Sequence, residues 1–283
     1  MTTTTLHSPR SVPGTIAFIG GGNMARSLIG GLVSRGVAAD ALRVAEPVAE
    51  LREALAKDFG VAVFDNASDA VAGTALWLLA VKPQVMRQVC DDLSTVAQSS
   101  KPLVVSIAAG ITATQLQRWL GGDASIIRAM PNTPALLGAG VTGLYANAHV
   151  SAAGRTDAEG LLASAGKTVW IDDEALMDAV TAVSGSGPAY VFLLAEAMEA
   201  AAKAEGLADG AARTLVLQTI LGAARMLTES DEAPAELRKR VTSPNGTTQA
   251  AIEAFQHGGF EALVAGAIAA ASERGRQLSA AND

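Results

Sequence analysis

The sequence predicts an α/β protein in two parts: a Rossmann-type, doubly wound N-terminal sheet domain and an all-α C-terminal domain. Three observations carry this. Short apolar runs alternate with helical segments from Thr15 to about Ile171. The first run ends in a glycine-rich turn, Gly20-Gly21-Gly22, at the mouth of a helix. After Asp172 the strand patterns stop and only helical spacing continues.

The elements follow in order. Thr15 to Ile19, TIAFI, reads as a buried strand, and Asn23 to Arg35 as a helix ended by Gly36. Leu42 to Ala45 is a second strand. Pro47 opens a helix that carries Leu51 and Leu55 and closes at Gly60. Val61 to Phe64 is a third strand. The apolar run Ala75 to Val81, bounded by turn signals, has the character of a central parallel strand. Pro102 to Ile107 and Ser125 to Met130 are further strands, and Val141 to Ala146 and Lys167 to Ile171 extend the sheet. Beyond it the spacing predicts helices over Glu174 to Ser184, Pro188 to Glu205, Asp209 to Glu229, Pro234 to Val241, Thr247 to Gln256 and Phe260 to Leu278. The expected division is a disordered tail at 1–14, a dinucleotide-binding domain at 15–172 and a helical domain at 173–283.

Composition bounds the function. Of 283 residues, 49% are hydrophobic and 17% charged, which marks a folded chain with a large core. The net charge of −7, without a basic cluster, gives a nucleic-acid role little support. No apolar run reaches the length of a membrane span. Cys90 is the sole cysteine, so no intramolecular disulfide forms and a reducing, cytoplasmic setting is expected. The N-terminus has no apolar stretch of the secretory kind.

Gly20-x-Gly22-x-x-Ala25 directly follows the first strand. In that position Gly20 permits the tight turn, Gly22 lets the backbone approach a pyrophosphate, and Ala25 allows close helix–strand packing. Glu46 ends the second strand, about twenty residues further on. An acid there bonds ribose hydroxyls and disfavours a 2′-phosphate, which points toward NAD(H). Its other reading is an acid before Pro47 at a helix start. Arg43 and Arg52 lie near enough in sequence to serve a phosphate instead. Ala80, Val81, Lys82 and Pro83 follow the central strand, where Lys82 is either a cofactor contact or a solvated loop cation. Ala108, Ala109 and Gly110 follow the next strand, and the AMPNTPA stretch, Ala129 to Ala135, follows the one after. Both loops carry small residues where a nicotinamide would pass.

The segment VTSPNGTT, Val241 to Thr248, precedes a helix. Free first-turn amides, the helix dipole and the hydroxyls of Ser243, Thr247 and Thr248 make an anion site, although a plain helix cap accounts for the same residues.

FIGGGNMA, AVKP, VVSIAAGIT, IIRAMPNTPA, DAVTAVSGSGPAYVF and VTSPNGTT occur in that order. Together they resemble the pyrroline-5-carboxylate reductase family from about Thr15 onward. SGSGPAY, Ser184 to Tyr190, and the run from Pro234 to Phe255 are the most specific parts. The resemblance implies reduction of 1-pyrroline-5-carboxylate to L-proline by NADPH or NADH. It implies a C-terminal domain of the 6-phosphogluconate dehydrogenase C-terminal type that pairs two chains, with assembly into a ring of five dimers. It places the substrate carboxylate on the amides of Gly246, Thr247 and Thr248, helped by Ser243, with Thr248 bonding the imine nitrogen as the catalytic group. It adds Glu174 as a substrate contact, and Asn23, Met24 and Asn66 as cofactor contacts, and it calls for no metal. Asn245 departs from the family, which usually has a second glycine there, before Gly246. Asn tolerates left-handed backbone, so the turn is expected to survive.

His7, His149 and His257 fall outside these motifs: His7 lies in the tail and the other two read as surface residues. A β-hydroxyacid dehydrogenase of the 6-phosphogluconate dehydrogenase type would need a lysine soon after the Gly-rich turn of the second domain. Here none comes until Lys203, some four turns on at ~3.6 residues per turn. A cofactor-binding redox sensor without turnover is the reading from another class, and the two intact loops argue against it.

Overall fold

The computed structural model describes residues 14–282. The expected tail, with His7, lies outside the described residues except for Gly14.

Among the described residues, eight strands form one sheet: β1 Ile16–Ile19, β2 Leu42–Ala45, β3 Ala62–Phe64, β4 Leu76–Leu79, β5 Leu103–Ser106, β6 Ser125–Met130, β7 Gly140–Ala146 and β8 Gly166–Trp170. Their order is β3-β2-β1-β4-β5-β6-β7-β8. All neighbours run parallel except β6 and β7, which pair antiparallel. The chain thus winds outward from β1 in one direction, then returns to β4 on the other side of it. That reversal opens a crevice at the C-terminal ends of β1 and β4.

Seven helices accompany the sheet: α1 Asn23–Ser34, α2 Ala49–Phe59, α3 Ala67–Val71, α4 Pro83–Ser100, α5 Ala113–Trp119, α6 Ala152–Leu162 and α7 Met177–Val180. Both sheet faces are buried, as period-two alternation demands. On β1, Ile16 and Phe18 enter one core with Leu28 and Ile29 of α1. Ala17 and Ile19 enter the other with Met86, Cys90 and Leu93 of α4. On β4, Leu76 and Leu78 face the first core and Trp77 and Leu79 the second. Burying an aliphatic side chain of this size contributes about 1.5–3 kcal/mol, so the central strands anchor the sheet.

The apolar run Ala75 to Val81 is strand only over β4. Ala80 ends the ladder because the chain must turn there beside Gly20. Glu174 to Ser184, expected as one helix, is instead a 3-10 turn at Glu174–Leu176, the short α7, and a π turn at Thr181–Gly185. The Thr181 and Ser184 hydroxyls donate back to the carbonyls of Met177 and Val180, both at 2.9 Å. Such back-bonding bends a helix and competes with regular spacing. The π turn closes with Ser186 N–H donating to Thr181 O at 2.8 Å.

By compactness the chain forms two units. One reaches to Ser186 and takes back the residues from Ala271 onward; the other is Gly187–Ala270. This differs from a division at Asp172. Residues 173–186 join the sheet unit because Met177 and Ala182 are buried and the Glu174 carboxylate bonds into α5 and β6. The C-terminal residues rejoin it through Ser279 O, which accepts from Gln115 Nε2 at 3.0 Å.

The second unit is helical: α8 Gly187–Ala204, α9 Asp209–Glu229, α10 Pro234–Arg240, α11 Thr247–His257 and the start of α12, Phe260–Ala281. Few of its side chains are buried in the single chain, Ala212, Val216 and Leu237 among them. Phe192, Leu193, Leu215, Leu221 and Leu263 stand at 54–71% exposure. An apolar surface of that extent marks an interaction face.

Candidate active site

The sheet brings the expected cofactor residues to one edge. Ile19 lies in register with Ala45 and with Leu79, so Gly20, Glu46 and Ala80 emerge side by side. Phe64 is in register with Ala45, which sets Asn66 beyond Glu46 on the same edge. Ser106 is in register with Leu79 and brings up Ala108, Ala109 and Gly110.

Each glycine of the first loop has its own reason. Gly20 has φ +102°, and a Cβ there would lie 2.8 Å from Ala80 O. A Cβ on Gly21 would lie 2.6 Å from the Leu55 side chain. At Gly22 a Cβ would meet nothing within 4 Å. Gly22 caps α1 with no side-chain bond, and the first turn carries no acid. The N–H groups of that turn therefore remain available to an anion, which fits a dinucleotide pyrophosphate. Ala25 is buried against the sheet, Met24 packs partly on the same core, and Asn23 is exposed.

Glu46 is only 7% exposed, and both its oxygens accept backbone amides: Gly21 N–H at 2.9 Å and Val48 N–H at 3.0 Å. The carboxylate so braces the glycine loop as well as ending β2. Both nearby arginines make backbone bonds. Arg43 donates to Asp69 O at 2.6 Å and stacks on Phe64, while Arg52 donates to the carbonyls of Glu46 and Pro47 at 2.7 and 2.8 Å. Asn66 caps α3, accepting from Asp69 N–H and donating to the Asp65 and Asp69 carboxylates. Lys82 is the exposed N-cap of α4, with Pro83 in the first turn. Gly110 has φ +70° and its carbonyl accepts from Asn282 Nδ2 at 3.1 Å.

Asn132, which lies in the AMPNTPA stretch but was assigned no role from sequence, joins two motifs. Its Oδ1 accepts Val141 N–H at 3.0 Å and its Nδ2 donates to Ser184 O at 3.1 Å. Ser184 O is open to it because residue 188, the donor an α-helix would supply, is proline. A Cβ at Gly185 would lie 2.6 Å from Met130 Cε, so a side chain there would displace the end of Met130. Glu174 Oε1 accepts both Ala113 N–H, at the start of α5, and Arg128 Nη1.

In the helical unit, Ser243, Gly246, Thr247 and Thr248 come together at the start of α11. Asn245 takes the left-handed conformation, φ +60°. Gly246 is the N-cap, without a side-chain cap bond. Its own N–H donates to Ser243 O at 3.0 Å, so in this turn the Gly246 amide is engaged and the Thr247 and Thr248 amides lead the donor set. The turn spends that amide to close a loop whose second corner is not glycine. His149 and His257 are exposed and belong to neither cluster.

Comparison with known proteins agrees in both halves. Residues 174–278 match the family described as pyrroline-5-carboxylate reductase dimerisation, and residues 15–110 match NADP oxidoreductase, coenzyme F420-dependent. The pyrroline-5-carboxylate reductase of Pseudomonas aeruginosa is 54% identical over 93% of this chain and 96% of its own length. A solved pyrroline-5-carboxylate reductase from Coxiella burnetii superposes with TM-score 0.91 at 38% identity, covering 94% of this chain and 98% of that one. The Plasmodium falciparum enzyme, solved with NADP bound, gives TM-score 0.84 at 27% identity, covering 95% and 100%.

Proposed function

This chain belongs to the pyrroline-5-carboxylate reductase family, and from that premise we propose how its residues carry the reaction. It is an NAD(P)H-dependent oxidoreductase that reduces 1-pyrroline-5-carboxylate to L-proline, the last step of proline biosynthesis. The bound NAD(P)H supplies a hydride to the C=N carbon, and the protein supplies alignment.

In this reading the first turn of α1, from Gly22 through Asn23, Met24 and Ala25, holds the pyrophosphate. Gly20 sets the turn. Glu46, Asn66, Ala80 to Pro83 and Ala108 to Gly110 line the rest of the cofactor edge. The substrate carboxylate sits on the Thr247 and Thr248 amides beside the Ser243 hydroxyl, with Gly246 shaping the turn. Glu174 is read as a substrate contact, its Oε1 already carrying two protein bonds. Thr248 orients the imine nitrogen and relays its proton through water. A protonated imine accepts hydride readily, so no strong protein acid and no metal are required.

The observation that carries this assignment is the uncapped start of α11 beside three hydroxyl residues. Thr248→Ala tests it. The rate should fall at least tenfold while the NAD(P)H dissociation constant stays within twofold, about 0.4 kcal/mol on the ~1.4 kcal/mol per decade scale. Full activity in the purified variant would remove Thr248 from the mechanism.

Residues 15–172 are read as the cofactor domain and 173–283 as the dimerisation domain. The chain pairs with a second copy through its helical region, and a ring of five such dimers is the further assembly proposed. The exposed Phe192, Leu193, Leu215 and Leu263 support that pairing. Sedimentation analysis separates dimer from decamer. A cytoplasmic setting is proposed from the lone buried cysteine.

A further inference from the structure

Asn245 is one of three non-glycine residues with positive φ among the described residues, the others being Lys101 and Asp123. Asparagine tolerates this conformation better than most residues but less well than glycine. A second feature accompanies it. Gln249, in the first turn of α11, reaches back and its Oε1 accepts Asn245 N–H at 2.7 Å. The other end of the same amide is fixed: Gln249 Nε2 donates to Glu253 Oε1, also at 2.7 Å. A carboxylate only accepts, so Glu253 dictates which way the amide faces, and the oxygen must turn toward Asn245.

We infer that Gln249 is a positioning residue for the substrate seat, and that Glu253 sets its orientation. The inference rests on the reading of the Thr247 and Thr248 amides as that seat. The chemistry is an exchange of restraints. Glycine would hold the corner without strain; asparagine holds it with a tether from the helix it precedes. Asn245 N–H is consumed by Gln249 and Gly246 N–H by Ser243 O, which leaves the next amides, those of Thr247 and Thr248, aligned with the helix axis. Without the tether, Asn245 relaxes toward negative φ and the seat tilts.

Steady-state kinetics on full-length variants test this. Gln249→Ala should raise KM for the imine about 3- to 10-fold, the size of one hydrogen bond. KM for NAD(P)H should stay within twofold. Asn245→Gly in the Gln249→Ala background should return the imine KM toward wild type, because glycine needs no tether; loss of folding alone would not be rescued this way. Glu253→Ala should raise the imine KM by a smaller factor. Ser243→Ala is the reference for the seat. If Ser243→Ala raises the imine KM and Gln249→Ala does not, the positioning role is overturned and the seat stands. If neither Ser243→Ala nor Thr248→Ala moves it, the seat falls, and the inference with it.

Discussion

Arg128 and Glu174 form a partly buried ion pair, Nη1 to Oε1 at 2.8 Å, and the same oxygen takes the Ala113 amide. The pair joins β6, the start of α5 and the first turn after the sheet. Arg128 is 7% exposed, and this carboxylate is what compensates its buried charge. The Tyr145 phenol, opposite Arg128 on β7, is pushed up by burial first and by the Glu174 charge second. Glu174→Gln keeps the shape and removes the charge. It should cost about 1–3 kcal/mol of stability, below the ~3–5 kcal/mol of a fully buried pair because Glu174 is partly exposed. On the proposed role of Glu174 as a substrate contact, the imine KM should rise as well while KM for NAD(P)H holds. Thermal denaturation and kinetics on one preparation check both.

Glu46 fixes a negative charge beside the glycine loop through two amide bonds, Arg43 donates to Asp69 O, and Arg52 donates to the Glu46 and Pro47 carbonyls. The expected outcome is a higher kcat/KM with NADH than with NADPH. Glu46→Gln should shrink that ratio roughly tenfold, the effect of removing one repulsive charge–phosphate contact of ~1.4 kcal/mol. A ratio already favouring NADPH in the wild type would reverse the assignment.

The two outer glycines of the loop separate fold from ligand. Gly20→Ala must place a methyl 2.8 Å from Ala80 O at φ +102° and should lower stability by about 1–3 kcal/mol. Gly22→Ala meets open space with φ −67°, so its melting temperature should match wild type. Its KM for NAD(P)H should nevertheless rise severalfold as the methyl meets the phosphates. Equal behaviour of the two variants would contradict this division of roles.

Cys90 is buried on α4, and its thiol is pushed up to about 12 by burial, with Asp91 adding to the shift. A thiol ionises most easily when unfolded, near pH 9.0. Its folded value is the higher one, so its contribution to stability is intact below about pH 9 and is lost as pH rises toward 12. Native protein at pH 8 should resist alkylating reagents, and denatured protein should take up one equivalent. Rapid native labelling would show that α4 opens locally.

The sheet was legible because its central strands are buried on both faces, and a short, continuous apolar run between two turns suits little besides such a strand. Gly20, Gly22 and Ala25 were legible because turn, helix start and packing each demand a small residue at a fixed spacing. VTSPNGTT was legible as a helix start for the same local reason. The break in the helix expected over Glu174 to Ser184 was not, because hydroxyl back-bonds at Thr181 and Ser184 compete with helical spacing only once the segment packs against Met130 and Asn132. The bracing role of Glu46 was hidden too, since its partner Gly21 lies on another strand's turn.

By itself, then, the sequence determined what depends on nearest neighbours and on period: which segments are strand or helix, where backbone must turn, and that strand patterns give way to helical ones near Asp172. Tertiary structure decided which amides remain free. Gly21 N–H is taken by Glu46 and Ala113 N–H by Glu174, both distant in sequence, while the amides that open α1 and α11 keep no side-chain cap. A hydrogen bond is settled by which partners the fold holds within reach, and residue order alone does not state that distance.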